Sequence, residues 1–490
     1  MTLSADLRRN EAFYLNLDRF EGVAFYSDCG SITYAELEKR VSVQAMELQD
    51  ACEDCLAALC FETSIDAVVN YLAALRSETP LLVIDPDLPV AQQEALYAKL
   101  GVSVALAGLA IVPVARWPFK HKLQKSSEKL HYAAVLLSTS GSSGSPKSVM
   151  LSRQNLLANT DSILRYLPIR SDDCAITTLP LHYSFGLSVL NTHLAVGARM
   201  VLTTHPMMSR EFWQQVREHQ VSSLSGVPFH FEMLKMLRLE RMELPAIRYL
   251  TQAGGRLDPK LVSHFANVAE QQDWQFYVMY GQTEATARMA YVPHDQIQHY
   301  PDIIGQAIPG GRFEIHDFEL ADVNSESVIT EPLREGELWY FGDNVMLGYA
   351  EQPSDWQQGH FPRKSLATGD IACYTEQGMV KITGRLSRFI KVRGKRVQLD
   401  HLEQQLSALG SKVYCCGNDD VLFVAHVNEE HGLSEQISSV LRAELLLHPT
   451  LFNVVQLETL PTLSSGKVDY VKLLAICQQS NLAANKEAGE

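Results

Sequence analysis

At 490 residues the chain is too long for one simple hydrophobic core, so two or more domains are expected. Its composition, 46% hydrophobic and 20% charged, is that of an ordinary globular protein, and a formal net charge of −15 argues against general nucleic-acid binding or attachment to an anionic membrane. The opening MTLSADLRRNEAF lacks a signal-peptide core and no eighteen apolar residues run together, so a soluble cytoplasmic protein without a membrane span is expected.

In chain order, the first strong signal is Thr33-Tyr34-Ala35-Glu36-Leu37. Thr33 stands as an N-cap and Glu36 in the capping-box position of an amphipathic helix. Cys52, Cys55 and Cys60 then form a CxxC-like cluster. Their neighbours are apolar and no second ligand pair follows at zinc-site spacing, so buried free thiols are expected. Nine cysteines in a chain this long make no disulfide framework. The run PLLVIDP from Pro80 to Pro86 reads as a buried strand halted by a turn. Residues 176–179 and 200–202 read as further strands, separated by helix-length segments. This alternation predicts an α/β protein built on mostly parallel sheets.

Residues 136–149, LLSTSGSSGSPKSV, are the most informative stretch. An apolar strand over 133–137 leads into a run of Ser, Thr and Gly that ends in Pro146-Lys147. Such a loop lets the backbone approach a ligand closely, and its N–H groups and hydroxyls can wrap a polyphosphate. It is not a Walker A loop: two residues rather than four separate Gly141 from Gly144, and Pro146 precedes Lys147. Tyr280-Gly281-Gln282-Thr283-Glu284 follows an apolar strand over 276–279. A hydroxyl beside a carboxylate suits a phosphate held next to Mg2+, whose ligands are oxygens. Thr368-Gly369-Asp370 sets a short carboxylate beside a Gly turn, suited to ribose hydroxyls. Taken singly, each of these segments has a plainer reading as a linker or a turn.

Residues 336–341 and 378–383 read as antiparallel strands, and a domain boundary is expected over 383–387. A basic cluster follows: Gly384-Arg385, then Lys391 to Arg396, which alone would be solvated charge. Beyond it, a strand over 421–427 and a helix over 433–446 suffice for a small α+β domain. Gly466-Lys467 makes a tight turn that presents a lysine, and the polar residues from about Gln479 are expected to be mobile.

Together, and in this order, these segments resemble the adenylate-forming superfamily of acyl-CoA synthetases, aryl-CoA ligases, peptide-synthetase adenylation domains and firefly-type luciferases. The resemblance covers about residues 30–475 and includes the stretch GELxxxGxxVMxGY from Gly336 to Tyr349. It implies a large N-terminal domain, residues 1–384, of mostly parallel sheets with helices and a small β-barrel-like subdomain. A small mobile α+β lid, residues 385–490, would follow it. ATP and Mg2+ are implied. Thr139, Ser140, Gly141, Ser142, Ser143, Gly144 and Lys147 would hold the β- and γ-phosphates. Ala253, Gly254, Gly255 and Tyr280 would sandwich adenine, with Gly281 and Gln282 completing the nucleotide site. Thr283 would touch the α-phosphate and Glu284 would ligate the metal. Asp370, helped by Arg385, would bind ribose. Lys467 would bridge the substrate carboxylate and the α-phosphate, where negative charge builds during attack.

The stretch His182-Tyr183-Ser184-Phe185-Gly186 resembles the acyl- and aryl-CoA ligase form of the substrate wall, with Gly254 beside it. Tyr183 stands where peptide-synthetase domains usually carry an Asp for the substrate ammonium, which favours an acid lacking an α-ammonium. Lys391 and Gly394 resemble the loop lining a pantetheine tunnel, so CoA or a carrier-protein phosphopantetheine is the implied acceptor. Two positions depart from the family pattern: Ser148, mostly Gly in the family and read as part of a flexible loop, and Ser387, a hinge position that usually carries Asp or Lys. The expected activity is ATP-dependent ligation of a small carboxylic acid to a thiol, through an acyl-AMP. The alternatives are a standalone amino-acid-activating enzyme loading a carrier protein, or a non-catalytic nucleotide-binding regulator.

Overall fold

The computed structural model describes residues 12–52, 54–114, 131–139, 147–317, 327–386, 388–392, 395–407, 409, 411–418, 421–427, 432–444, 448–463 and 466–487. By compactness the chain divides into two units, Met1–Phe313 with Tyr340–Leu366, and Glu314–Trp339 with Ala367–Glu490. The second unit therefore takes in residues upstream of the break expected at 384/385.

The first unit carries two large sheets. One has nine strands, in spatial order Gln306–Ala307, Ala290–Tyr291, Gln275–Tyr280, Tyr249–Gln252, Ser223–Gly226, Cys174–Ile176, Arg199–Leu202, Val23–Ser27 and Gly30–Thr33. The six from Gln275–Tyr280 through Val23–Ser27 run parallel. Chain order reverses at Cys174–Ile176, whose neighbours are Ser223–Gly226 on one side and Arg199–Leu202 on the other. Crevices at such reversals, beyond the C-terminal ends of parallel strands, are the usual ligand sites of open α/β sheets. The other sheet has seven strands, with Ala133–Thr139, Leu81–Ile84, Leu56–Cys60 and Val102–Ala107 parallel at its centre.

Local chemistry explains the elements. The helix Tyr34–Ala51 begins on the expected capping box: the Glu36 N–H donates to Thr33 Oγ1 at 3.2 Å and the Thr33 N–H donates to the Glu36 carboxylate at 2.9 Å. All four residues of Leu81–Ile84 are buried, as a strand covered on both faces requires. A core that includes Leu37, Tyr71, Leu72, Leu81, Val149 and Leu190 knits the helices to the sheets.

Several expectations need correction. The strand expected over 176–179 is Cys174–Ile176. Beyond Ile176 only the Thr177 N–H still reaches the neighbouring strand, donating to the Val201 carbonyl at 2.9 Å, while the Thr177 hydroxyl donates to the Thr203 carbonyl at 3.0 Å. Cys52 and Cys55 are not free thiols but form a disulfide. Cys52 closes the helix, and the left-handed Asp54 turns the chain so that the two Cα atoms come to 5.1 Å, within bridging range. Cys60 stays free and donates to Gln93 Oε1 at 3.4 Å. Ser148 lies in the strand Lys147–Ser152 rather than on a loop. Residues 479–487 continue the helix Tyr470–Glu487 instead of trailing from it.

The five-stranded sheet, in order Val328–Ile329, Arg312–His316, Gly336–Phe341, Ser365–Tyr374 and Val380–Arg385, lies mostly in the second unit. That unit also holds the hairpin of Phe389–Val392 with Lys395–Gln398, and a three-stranded sheet of Val413–Gly417, Leu422–His426 and Phe452–Gln456. Helices Leu399–Ser407 and Leu433–Glu444 contribute to a separate core containing Ile390, Leu402, Val424, Ile437 and Leu441.

Candidate active site

Four segments leave the C-terminal ends of adjacent parallel strands in the first unit. They are the segment from Thr177 to Gly186, Val227, Ala253 to Gly255, and Tyr280 to Glu284. Register pairs Gly226 with Gln252 and Gln252 with Val278, so Gly254 and Tyr280 emerge level with each other. Gly254 has φ +80°, and a Cβ there would lie 2.6 Å from the Tyr183 hydroxyl and 3.0 Å from Val227. The turn and the wall residue thus meet at a position only glycine fits.

The segment after Gln275–Tyr280 folds tightly on itself. Residues Thr283–Ala285 form one 3-10 turn, Thr286 is left-handed, and the Met289 N–H returns to the Tyr280 carbonyl at 2.9 Å. A Cβ on Gly281 would sit 1.6 Å from the Ala287 carbonyl oxygen, so that close approach requires glycine. Thr283 Oγ1 lies 3.2 Å from Ser184 Oγ, the first residue of the helix Ser184–Val196. Glu284 is half-buried, and one of its carboxylate oxygens accepts a 3.0 Å hydrogen bond from the Tyr349 hydroxyl. Burial and that carboxylate both push the Tyr349 pKa upward, so the phenol stays a donor.

Residues 342–346 hold this loop. Asn344 Nδ2 donates to the carbonyls of Ala285 and Arg288, at 2.7 and 3.0 Å, and Asn344 Oδ1 accepts from Tyr340 at 2.9 Å. Thr286 Oγ1 donates to the Asn344 carbonyl at 2.6 Å, and the Met346 N–H to the Glu284 carbonyl at 2.8 Å. Sequence reasoning singled out the stretch around Asn344 and Tyr349 but assigned these two no task. Its only signal there was a polar residue within an apolar run.

Among the wall residues, Phe185 and Gly186 are buried, and a Cβ on Gly186 would lie 2.2 Å from the Pro180 carbonyl oxygen. Gly186 therefore serves close packing of its helix. His182 faces Asp85, with Nε2 3.5 Å from Oδ2, and burial lowers its pKa against the opposing pull of Asp85 and Asp87.

In the second unit, Asp370 is 1% exposed and accepts from Arg385 Nε at 2.6 Å. The two stand opposite each other in antiparallel register. Gly369, at φ +70°, makes the kink; the Asp370 N–H donates to Thr368 Oγ1 at 3.1 Å, and Thr368 Oγ1 donates to the Leu338 carbonyl at 2.7 Å. Lys467 is exposed on a turn in which its carbonyl accepts from the Leu463 N–H at 2.8 Å and Gly466 has φ +76°. Just downstream, Tyr470 donates to Glu403 at 3.1 Å, and Glu403 is bridged to Arg388 at 2.8 Å. Arg388 is a further residue that sequence reasoning missed: in a basic cluster, its burial against two carboxylates has no local signature.

Ser140, Gly141, Ser142, Ser143, Gly144, Ser387 and Gly394 lie outside the described residues. Thr139 and Lys147 face each other in register as the last and first residues of two antiparallel strands, so they close the Ser- and Gly-rich loop. Lys391 belongs to the strand Phe389–Val392.

Comparisons with known proteins give the family and the fold. The model of a family described as AMP-binding enzyme matches residues 17–350. Tyrocidine synthase 3 of Brevibacillus parabrevis is 25% identical over 90% of this chain, and the Anguibactin system regulator of Vibrio anguillarum is 25% identical over 85% of it. The chain spans 7% and 42% of those two relatives' lengths. Among solved structures, o-succinylbenzoate CoA synthetase from Bacillus subtilis in complex with the acyl-adenylate intermediate OSB-AMP superposes with a TM-score of 0.74 at 19% identity, covering 94% of this chain and 97% of the other. ATP-bound MatB from Rhodopseudomonas palustris gives 0.73 at 20% identity, covering 95% and 98%. The same α/β fold is shared with both.

Proposed function

Because the chain belongs to the AMP-binding enzyme family, we propose that it is an ATP-dependent carboxylic acid ligase, which makes an acyl-AMP and then a thioester. In the first step a substrate carboxylate oxygen bonds to the α-phosphorus of ATP, and the bond to pyrophosphate breaks. In the second, a thiol sulfur attacks the acyl carbon, AMP leaves and the thiol proton is released. The observation that carries this reading is the 3.2 Å approach of Thr283 to Ser184, beside the Glu284 carboxylate that Tyr349 orients. It joins the acid wall to the hydroxyl and carboxylate a phosphate and its metal need.

The loop closed by Thr139 and Lys147 would hold the outer phosphates. Tyr280 and the Ala253 to Gly255 turn would take adenine, and Asp370 with Arg385 the ribose. Mg2+ fits the donor set: it binds through one or two carboxylates and shares substrate phosphates, and Glu284, next to Thr283 in the chain, offers a carboxylate of which Tyr349 engages one oxygen. It would neutralise phosphate charge. Lys467 would meet the charge that builds as two anions join, the point where a water-excluded cation counts most. The acceptor would be CoA or a carrier-protein phosphopantetheine, reached past Lys391 and Gly394 after the lid from residue 385 turns about Ser387. A B. subtilis relative described in complex with ATP and magnesium ion supports the choice of nucleotide and metal.

A second reading, activation of an amino acid for a carrier protein, draws on the likeness to Tyrocidine synthase 3. Tyr183 offers an ammonium no charged partner, which weighs against it. Exchange of labelled pyrophosphate into ATP separates the two readings, using fatty acids of three lengths, aryl and hydroxy acids, and amino acids. Exchange driven by non-amino acids is expected. Exchange with amino acids alone would favour the second reading, and none with any acid would leave only nucleotide binding.

A further inference from the structure

Arg288 is 2% exposed, one of the largest fully buried side chains in the protein. Its guanidinium donates to Ser188 Oγ at 3.2 Å, touches Met279 Sδ and lies 4.1 Å from the centre of the Phe185 ring. Among the described residues, the ionisable groups that act on it are Tyr166 and Tyr183, with no carboxylate among them, and its Nε has no hydrogen-bond partner. A buried guanidinium without an anion is strongly unfavourable, and arginine's planar fork suits a carboxylate held by two parallel hydrogen bonds. The fold has placed a cation in its interior, and no described residue supplies its counter-ion.

Its position says what the counter-ion is. Ser188 is one turn along the helix Ser184–Val196 from Ser184, so the two hydroxyls lie on one face, separated by a rise of about 6 Å. Ser184 meets Thr283 and Ser188 meets Arg288. Both serines, with Thr160, Asn159, Thr286 and four leucines, line one small cavity. Two wall residues, Phe185 and Tyr183, are also neighbours of the guanidinium.

We propose that Arg288 binds a second anionic group of the substrate, so that the activated acid is a short dicarboxylic acid. One carboxylate reacts beside Thr283 and the other pairs with Arg288 about one helical turn deeper. An alkyl chain of the same length would leave the guanidinium unpaired and is rejected for that reason, since a site built around a buried polar group discriminates strongly against ligands that lack its partner. This inference rests on the ligase reading above and narrows its substrate class.

The test is pyrophosphate exchange with matched pairs of acids of equal chain length, one monocarboxylic and one dicarboxylic, from three to six carbons. Wild-type protein is expected to favour the diacid by about a hundredfold or more in kcat/KM. Arg288→Met should lower that ratio by a similar factor, mostly through KM for the diacid, while KM for ATP stays within a few-fold. Arg288→Lys, which keeps the charge but not the fork, should fall between the two. Without ligand, Arg288→Met should melt no lower than wild type, because an unpaired buried charge is removed. If that variant fails to fold, Arg288→Lys carries the comparison alone.

Preference for monoacids, or an equal effect of Arg288→Met on both members of each pair, would overturn the inference and leave the ligase reading standing. Exchange with no acid at all would overturn the ligase reading. The diacid's effect on the melting temperature then decides whether Arg288 is an anion site. A rise in wild type that is absent in Arg288→Met upholds that site, and no rise in either overturns it as well.

Discussion

Ser148 shows how one atom can be out of keeping with its surroundings. It is 1% exposed, stands in register opposite Ser138 and Ala350, and its hydroxyl has no partner among the described residues. Ser148→Ala should therefore stabilise the protein by about 1 kcal/mol. Ser148→Gly, although nearer the family pattern, should fall about 1 kcal/mol below the alanine variant, because glycine gives up more chain entropy in a strand. Urea unfolding of the two variants checks this, and a destabilised alanine variant would mean the hydroxyl is satisfied. At Glu284, removal of one hard oxygen charge by Glu284→Gln should raise the Mg2+ concentration needed for pyrophosphate exchange. An unchanged Mg2+ titration would place the metal elsewhere. Lys467→Ala should lower pyrophosphate exchange by about a hundredfold or more, with ATP affinity within a few-fold, since its charge acts where the two anions join. Near-normal exchange would remove Lys467 from the chemistry.

At the scale of an element, the helix Pro228–Met236 follows Val227 at the C-terminal edge of the sheet and carries its own pH dependence. The Val227 N–H donates to His230 Nδ1 at 3.2 Å, an arrangement open only to a neutral ring. Burial has pushed the His230 pKa down from 6.5 to about 4. As pH falls, the unfolded chain takes up this proton first. The stability is thus fully present above about pH 6.5 and is lost between there and about pH 4, by up to roughly 3 kcal/mol. His230→Gln keeps an acceptor in the same capping position without titrating. Its melting temperature should decline less than that of wild type over this pH range, and parallel declines would show that other groups dominate. The loop from Tyr280 to Arg288 makes a complementary case: beyond its own backbone bonds it is held by Asn344, whose amide satisfies two of its carbonyls.

At the scale of the molecule, the chain divides into two compact units, and the second is anchored by a charge network. Arg388 pairs with Asp400 and Glu403, donates to the Cys415 carbonyl at 2.8 Å and lies 3.8 Å from the Tyr470 ring, so it ties together segments from Arg388 to Tyr470. Arg388→Met should destabilise the second unit by about 3–5 kcal/mol, because Glu403 is left buried without its cation. Scanning calorimetry should show a transition moving to lower temperature while the part arising from the first unit stays in place. A single unshifted transition would mean that the network contributes little. Through Tyr470 the network also fixes the chain three residues beyond Lys467, so the variant should adenylate more slowly as well.

Read alone, the sequence determined the features that depend on near neighbours. The Thr33–Glu36 cap, the buried strand Leu81–Ile84 and the strand Ala133–Thr139 each arise from residues a few positions apart, whose periodicity and capping chemistry act locally. The order of the motif segments was equally legible, and with it the family. Tertiary structure alone decided which distant groups meet. Ser184 and Thr283 are 99 positions apart, and Glu284 and Tyr349 are 65 apart. Their meeting depends on sheet order and on the reversal at Cys174–Ile176, which no local pattern encodes. Only the fold, likewise, enclosed Arg288, because burial belongs to a packed interior and not to any one stretch of chain.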